Sequence, residues 1–150
     1  MVLFRTLALS NRFHLHTQLS LITMSAKKEL YRLKHDGPVN CVSFHNDLIF
    51  SASTDKSVRI WKKSTGKKVV SLEHKGNCWN FDISPNGALI AIAKSNGASV
   101  WTLENYNKPA ELIKRGVADV RFQKNEKVFT TSHDGQCTVY LIKNDCTMNK

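Results

Sequence analysis

The sequence lacks the features that identify most enzymes, metalloproteins and membrane proteins. It contains no run of 18 or more apolar residues, so no transmembrane helix is predicted. It has no phosphate-binding glycine loop and no dinucleotide fingerprint, and no nucleophile stands in a motif that would supply its base. Its 4 cysteines and 6 histidines show no C-x-x-C or similar ligand spacing, which argues against a zinc site. We therefore predict no catalytic residue, no metal and no cofactor.

The cysteines also indicate the compartment. Cys41 and Cys137 fall within apolar strand patterns, where a free thiol acts as a small buried hydrophobic group. Unpaired thiols, with no secretory cleavage pattern, favour a protein of the cytoplasm or nucleus.

Residues 1–28 contain no aspartate or glutamate, whereas Arg5, Arg12, Lys27 and Lys28 are basic. This composition resembles a transit peptide, so these residues are expected to be an N-terminal extension that is disordered or directs the chain to mitochondria. The alternative, which we favour, is that Met24 is the ordinary start of a cytosolic protein. Entry into mitochondria of a reporter fused to residues 1–28 would contradict that alternative.

A period of 39 or 40 residues runs through the rest of the chain. Three sets of residues follow it: Trp61, Trp101 and Tyr140; Phe44, Ile83 and Phe122; and Gly37, Gly76 and Gly116. Such a period indicates one supersecondary unit that is stacked repeatedly.

Each unit consists of short β-rich runs that are separated by turn residues. In the first copy the runs are 39–44, 48–53, 57–61 and 68–72, with Gly, Asp, Asn and Ser between them. We predict an all-β fold of about three four-stranded antiparallel sheets. Residues 29–143 are divided into three repeats, at about 29–66, 67–106 and 107–143, and residues 144–150 form a tail.

The pattern resembles the WD-repeat β-propeller family over about residues 29–143. Family repeats end their third strand in Trp-Asp, and here Trp61, Trp101 and Tyr140 hold the first position without a following Asp. The resemblance implies a buried His–Ser–Asp–Trp hydrogen-bond network. In the first copy it maps onto His35, Ser51, Asp55 and Trp61; in the second onto His74 and Trp101, with Ala91 and Ser95 in the other places; and in the third onto Lys114, Thr130, Asp134 and Tyr140.

We interpret this network as structural, because buried polar groups persist only when they are hydrogen-bonded. A hydrolase triad of His35, Ser51 and Asp55 is the alternative. Positions that repeat with the fold are more readily explained by packing, and no nucleophile elbow is present.

Propellers usually have four to eight blades, whereas this chain supplies three repeats. We therefore expect a partial or truncated propeller, or an assembly of chains in which a homo-oligomer completes the ring. Residues 30–33 are expected to supply the outer strand that is missing after Ile142.

The resemblance also implies partner-binding positions at the rim where the first strand of each repeat begins. They are Pro38, Asn40 and Thr54 in the first copy, Asn77, Trp79 and Lys94 in the second, and Val117, Asp119 and His133 in the third. Trp79 is the strongest candidate, because tryptophan is enriched at interface hot spots. Core packing between blades is the alternative role for Trp79.

The formal net charge is +10, and residues 27–150 retain +8 because only Arg5 and Arg12 precede them. Lys62, Lys63, Lys67 and Lys68 form the densest basic cluster, which is either a solvated hairpin tip or a contact for an acidic partner or RNA. We predict a non-catalytic protein–protein interaction scaffold or adaptor. A basic module that binds RNA or an acidic surface is the alternative, and no membrane partner is expected.

Overall fold

The computed structural model describes residues 2–3, 18–23, 28–106, 109–123, 127–132, 135–142 and 148–149, and these residues confirm the predicted all-β fold. The strands are β1 (Val2–Leu3), β2 (Gln18–Thr23), β3 (Lys28–Lys34), β4 (Val39–His45), β5 (Leu48–Ser53), β6 (Ser57–Lys62), β7 (Lys68–Glu73), β8 (Cys78–Ile83), β9 (Leu89–Lys94), β10 (Gly97–Thr102), β11 (Ala110–Ile113), β12 (Val117–Gln123), β13 (Lys127–Ser132), β14 (Cys137–Ile142) and β15 (Met148–Asn149). No helix long and apolar enough to cross a membrane occurs in this part of the chain.

Three of the sheets are antiparallel four-stranded meanders, in which each strand pairs with the next along the chain. Blade 1 contains β4 to β7, blade 2 contains β8 to β11, and blade 3 contains β12 to β15. The strands β1, β2 and β3 form a separate N-terminal sheet. Alternating apolar residues and short polar turns favour this arrangement, because each pair of strands needs only a tight reversal.

The boundaries of the sequence repeats and the boundaries of the sheets differ by one strand. The predicted second repeat, at about 67–106, begins with β7, yet β7 pairs with β6 of blade 1. Likewise β11 falls in the third repeat and pairs with β10 of blade 2. Each repeat therefore completes the sheet that precedes it, and neighbouring repeats are joined by backbone hydrogen bonds as well as by packing.

The core lies between the blades. Blade 1 and blade 2 enclose one apolar cluster, whose fully buried members include Phe50, Val58, Ile60, Ile90 and Ile92. Blade 2 and blade 3 enclose another, with buried members that include Leu89, Ala91, Val100, Val117 and Val120. Each central strand thus has apolar side chains on both faces, which fits continuous buried runs such as Leu89–Lys94.

The expected outer strand for blade 3 is not the one that the structure shows. Residues 30–33 belong to β3, which pairs with β2 rather than with β14. The described partner of β14 on that side is β15, and it pairs only with Leu141 and Ile142. The prediction that residues 30–33 complete blade 3 is therefore wrong. Instead, Leu33 of β3 is buried against Ile49 and Trp61 of blade 1.

The prediction of buried thiols is correct only in part. Cys41 is partly buried, whereas Cys137 is exposed at the start of β14. Cys78 is fully buried, and its burial raises the pKa of its thiol to about 12. Cys78, for which no burial was predicted, is therefore the thiol that acts as a small buried apolar group, and Cys146 lies outside the described residues.

Candidate functional site: buried networks and a polar rim

Blade 1 contains a continuous chain of side-chain hydrogen bonds that links three segments. Trp61 Nε1 donates to Ser51 Oγ at 2.8 Å, and Ser51 Oγ lies 2.7 Å from His35 Nε2. The other ring nitrogen of His35, Nδ1, lies 2.8 Å from Asp55 Oδ2. A neutral His35 with its proton on Nδ1 satisfies every group in this chain. The network ties the segment before β4 to β5, β6 and the turn between them.

The charges in this network are set by opposing effects. Burial lowers the pKa of His35, and the neighbouring Asp55 only partly offsets this, so the ring favours its neutral form. Burial would raise the pKa of Asp55, but hydrogen bonds from the Ser57 hydroxyl, the Asp36 N–H and His35 outweigh it and lower that pKa to about 2. Asp55 therefore remains an anion that these three hydrogen bonds stabilise.

Ser51, His35 and Asp55 are connected in the order of a catalytic triad, but their surroundings differ from those of an active site. Ser51 is 0% exposed and His35 is 3% exposed. The Ser51 hydroxyl already accepts the Trp61 indole N–H, so a substrate carbonyl has no path to it. The arrangement can orient strands, and it leaves no surface on which acyl transfer could occur.

Arg59 is a member of this network that the sequence interpretation missed. Its Nη1 donates to the Lys34 carbonyl at 2.7 Å, and its Nη2 lies 2.5 Å from Asp36 and 3.1 Å from Asp55. The available signal was an arginine between Val58 and Ile60, in the middle of an apolar strand segment. Arg59 thereby joins β6 to the end of β3 through bidentate use of its guanidinium.

The network is altered in blade 2 because the strand register differs. In blade 1, Ser51 is paired with Val42 and Arg59. The residue of blade 2 at that position is Ile92, which is paired with Phe81 and Ser99. Ala91 instead faces blade 3, as part of its apolar cluster. The prediction that Ala91 replaces Ser51 is therefore wrong by one residue. Because side chains alternate between the two faces of a strand, a shift of one residue places Ala91 on the opposite face of the sheet.

His74 and Trp101 keep their mutual geometry without the hydroxyl between them. Their rings are edge to face, with centroids 5.5 Å apart, much as in the His35–Trp61 pair at 6.0 Å. His74 Nε2 and Trp101 Nε1 are buried and have no hydrogen-bond partner among the described residues. Burial, with a smaller effect of Lys94, lowers the pKa of His74 to about 4. Blade 2 therefore carries unpaired buried polar atoms where blade 1 has a closed network.

In blade 3, the register places two of the predicted residues at the network positions of blade 1. Thr130 is paired with Val120 and Thr138, so it lies at the position of Ser51. Tyr140 is buried at 7% exposure, at the position of Trp61 and Trp101. Asp134 and His133 lie outside the described residues.

Several residues of the predicted partner-binding rim hold turns or neighbouring blades together. Asn40 is exposed, and its Nδ2 donates to the Cys78 carbonyl of blade 2 at 2.8 Å. Asp119 accepts from Asn80 Nδ2 at 2.5 Å and lies 3.0 Å from Arg121. The N–H of Asn77 donates to Ser95 Oγ at 3.0 Å. These contacts show that the rim is ordered by hydrogen bonds between turns and between neighbouring blades.

The first strand of each blade contains a bulge, and the position of this bulge determines which residues of the three blades are equivalent. The ladder shifts after Val39 in β4, after Cys78 in β8 and after Val117 in β12. The inserted residues are Asn40, Trp79 and Ala118, so Ala118 rather than Asp119 is the counterpart of Trp79. A bulge re-aims the inserted side chain, and its position could not be read from the spacing of apolar residues.

Trp79 and Lys94 lie in different environments. Trp79 is partly exposed, with a buried Nε1 that has no partner in the described part of the chain. Lys94 is 3% exposed, and its Nζ lies 2.9 and 3.0 Å from the two carboxylate oxygens of Glu111. This burial favours a structural role for Lys94 over contact with a partner. Among the described residues, no three metal-binding side chains lie close enough to hold an ion.

Residues 27–62 match the family model described as "WD domain, G-beta repeat". These residues contain β3, the bulged β4, and the strands that carry the complete network. Residues 27–62 therefore form a WD repeat, and the chain is similar to WD-repeat proteins.

Three WD-repeat relatives illustrate the breadth of the similarity. An F-box/WD-40 repeat-containing protein of Arabidopsis thaliana is 26% identical over 122 residues, which cover 78% of this chain and 22% of the relative. Eukaryotic translation initiation factor 3 subunit I of Lodderomyces elongisporus is 31% identical over 113 residues, 66% of this chain and 31% of that subunit. Periodic tryptophan protein 2 of Saccharomyces cerevisiae is 28% identical over 122 residues, 70% of this chain and 13% of that protein. The WD-repeat chain thus spans less than a third of each relative.

Proposed function

We propose that this WD-repeat chain is a non-catalytic scaffold or adaptor, and that it acts as a subunit of a multiprotein complex in the cytoplasm or nucleus. The observation that carries the proposal is the burial of the triad-like arrangement of Ser51, His35 and Asp55, because Ser51 and His35 are buried and serve the packing of blade 1. Trp79, in contrast, is partly exposed at the bulge of β8. The names of two relatives, an initiation factor subunit and an F-box/WD-40 repeat-containing protein, are compatible with assembly into complexes.

Trp79 is the residue at which we propose that a protein partner binds. It lies on the bulge of β8 and is partly exposed. Aromatic side chains contribute most to the free energy of binding when they are fully buried. A partner that covers the rest of the ring would gain apolar burial without a rearrangement of the blade. Asn40, Thr54 and Asn77 are proposed to contribute at the rim, and Asp119 is proposed as a lesser contact beside them.

The experiment compares tagged full-length chains that are expressed in cells and purified after chemical crosslinking. Trp79→Ala should lose the proteins that crosslink near the rim, while its circular dichroism stays that of the parent. Val69→Ala is the matched control, because Val69 is 50% exposed on the outer strand β7. Retention of every crosslinked protein by Trp79→Ala would contradict the rim as binding site. Loss of β-structure in that variant would instead support a packing role for Trp79.

A second candidate function has one observation in its favour. Lys62, Lys63, Lys67 and Lys68 are all exposed around the turn that joins β6 to β7. This cluster could bind RNA or an acidic protein surface through charge alone. If it does, the affinity for a single-stranded RNA should fall steeply with added salt, and Lys67→Glu/Lys68→Glu should abolish it. Weak binding that does not change with salt would exclude this function.

A further inference from the structure

Blade 2 has a group of buried polar atoms on the face that packs against blade 1. Ile92 belongs to the apolar cluster between the two blades, and Ser99 is paired with it, so both side chains lie on this face. Trp101 follows two residues after Ser99 and therefore lies on the same face. Ser99 Oγ, Trp101 Nε1 and His74 Nε2 are buried and have no hydrogen-bond partner in the described part of the chain. Because unpaired buried polar atoms are rare in folded proteins, three of them on one face indicate a partner that is not a side chain.

The two rings of blade 2 keep the arrangement that a bridging oxygen atom requires. In blade 1, Ser51 Oγ lies between the rings, 2.7 Å from His35 Nε2 and 2.8 Å from Trp61 Nε1. The ring centroids of that pair are 6.0 Å apart, and those of His74 and Trp101 are 5.5 Å apart, again edge to face. An oxygen atom between the rings of the second pair can therefore contact both nitrogen atoms.

The ion pair of blade 2 keeps this face electrically neutral. Lys94 lies two residues after Ile92 and is 3% exposed, and its Nζ lies 2.9 and 3.0 Å from the two carboxylate oxygens of Glu111. Glu111 is paired with Ser99, so the ion pair spans β10 beside the unpaired hydroxyl. Burial, with a smaller effect of the Lys94 charge, lowers the pKa of His74 to about 4, so its ring is neutral near pH 7. A neutral face does not favour an anion, whereas water both donates and accepts hydrogen bonds at such a site.

The side chains on β10 are smaller than those on β6. Gly97 and Ser99 lie at the positions that Ser57 and Arg59 occupy in blade 1. Lys94, whose side chain crosses β10, fills part of the difference in volume. A buried water needs only about 10–15 Å³, and it makes about three hydrogen bonds to groups that have no other partner. The three unpaired atoms of this face supply that number of bonds.

We propose that blade 2 binds one internal water molecule between the rings of His74 and Trp101, with Ser99 Oγ as its third partner. The water accepts from Trp101 Nε1–H and donates to His74 Nε2, and it is the counterpart of the Ser51 hydroxyl in blade 1. Because His74 follows β7, the outer strand of blade 1, the water joins blade 1 to β10 of blade 2. The site concerns the packing of the blades and does not depend on the proposed scaffold function.

The test is nuclear magnetic resonance of the intact chain, labelled with ¹⁵N, near neutral pH. Trp101 Nε1–H should give a nuclear Overhauser cross-peak to water, with the sign expected for a water that tumbles with the protein. Trp61 Nε1–H is the control in the same spectrum, because it donates to the Ser51 hydroxyl and so reports how much signal a serine hydroxyl passes on by exchange. A cross-peak that is no stronger at Trp101 than at Trp61 would overturn the proposal.

Two variants of one position locate the water. Threonine and valine are both β-branched, so Ile92→Thr and Ile92→Val differ mainly by a hydroxyl. The hydroxyl of Ile92→Thr should take the place of the water and reduce the Trp101 cross-peak to the level of Trp61, whereas Ile92→Val should retain it. Equal cross-peaks in the two folded variants would overturn the assigned position between the rings. The spectrum of the parent decides the matter alone if either variant does not fold.

A change of buffer anion separates a bound water from a bound anion. The cross-peak and the chemical shift of Trp101 Nε1 should be the same with chloride and with acetate as the buffer anion, because a neutral water does not exchange with either. A chemical shift that follows the chloride concentration, with no cross-peak to water, would show that an anion occupies the site and would also overturn the proposal.

Discussion

Ile92 lies in blade 2 at the register position that Ser51 holds in blade 1. In blade 1, the hydroxyl at this position joins a histidine to a tryptophan, whereas in blade 2 a methyl-bearing side chain separates the same two ring types. Blade 2 also lacks counterparts of Asp55 and Arg59, for which Ser95 and Ser99 stand, so variants of the single positions 51 and 92 are needed to isolate what the hydroxyl contributes to stability.

Ser51→Ala should destabilise the chain by about 3 kcal/mol, because it leaves two buried polar atoms, His35 Nε2 and Trp61 Nε1, each without a partner at a cost of about 1–3 kcal/mol. Unfolding in urea measures the difference in the free energy of unfolding. Ser64→Ala, in an exposed turn, should stay within about 0.5 kcal/mol of the parent. Equal stabilities of the two variants would show that the network contributes nothing.

Ile92→Thr is the reverse experiment in blade 2. A hydroxyl at this position can bond to His74 Nε2 and Trp101 Nε1, so the gain offsets the loss of apolar contact. We expect a loss of no more than about 1 kcal/mol. Ile90→Thr is the control, because Ile90 is also 0% exposed and lies two residues away on the same strand. Its hydroxyl would have no partner, and a loss of about 2–4 kcal/mol is expected. If Ile92→Thr is as damaging as Ile90→Thr, the two orphaned atoms cannot be rescued from this position.

The sequence was sufficient for the fold class and for the strands of each blade, because these signals are local. Alternation within 39–44 and 57–61, and turns such as Ser84–Gly87, depend only on neighbouring residues. Gly87 N–H indeed donates to the Ser84 carbonyl at 2.8 Å, with Gly87 at φ 71°. The repeat period then predicted that these units stack as blades. The all-β class and the blades were therefore predictable from pattern alone.

The register of blade 2 was not predictable from spacing, because the turns on both sides of β9 differ in length from those around β5. The turn before β9 has five residues, against two before β5, while the turn after β9 has two, against three after β5. The separation from Ala91 to Trp101 consequently equals that from Ser51 to Trp61, which makes Ala91 the counterpart by counting. Only the pairing of the strands shows that Ala91 faces the opposite side.

His74 should make the stability of the chain depend on pH between about 6.5 and 4. Its pKa is lowered by burial to about 4 in the folded chain, against an ordinary value of 6.5. Between these values the unfolded chain binds a proton that the folded chain does not, so stability falls as the pH decreases. The free energy of unfolding of His74→Phe should change less over this window than that of the parent. Parallel curves for the two proteins would show that His74 is not the group that titrates.

The titration of Asp55 should change the stability of the chain at lower pH than the titration of His74 does. Hydrogen bonds from Ser57, Asp36 and His35 outweigh the effect of burial and lower its pKa to about 2, from an ordinary value of 3.8. Its contribution to stability is complete above about pH 4 and is lost as the pH falls toward 2, where the folded chain must also take up the proton. Asp55→Asn should be less stable at pH 7 and should show a shallower decline between pH 4 and 2. An unchanged slope in that range would assign acid unfolding to other carboxylates.

Asn80 and Asp119 should be energetically coupled across the boundary between blade 2 and blade 3. Asn80 Nδ2 donates to Asp119 Oδ1 at 2.5 Å, and Asp119 is itself 38% exposed, so the bond is partly screened by solvent. A double-mutant cycle of Asn80→Ala and Asp119→Ala should give a coupling free energy of about 1 kcal/mol, because each single change already removes the shared bond. Ser64→Ala combined with Asn80→Ala is the control, and its two effects should add, since Ser64 lies in the distant turn of blade 1. Additive effects for the Asn80–Asp119 pair would mean that this bond does not contribute, and that the Phe122 N–H bond to Asp82 Oδ2 at 2.8 Å and apolar packing at Val117 and Val120 hold these two blades together.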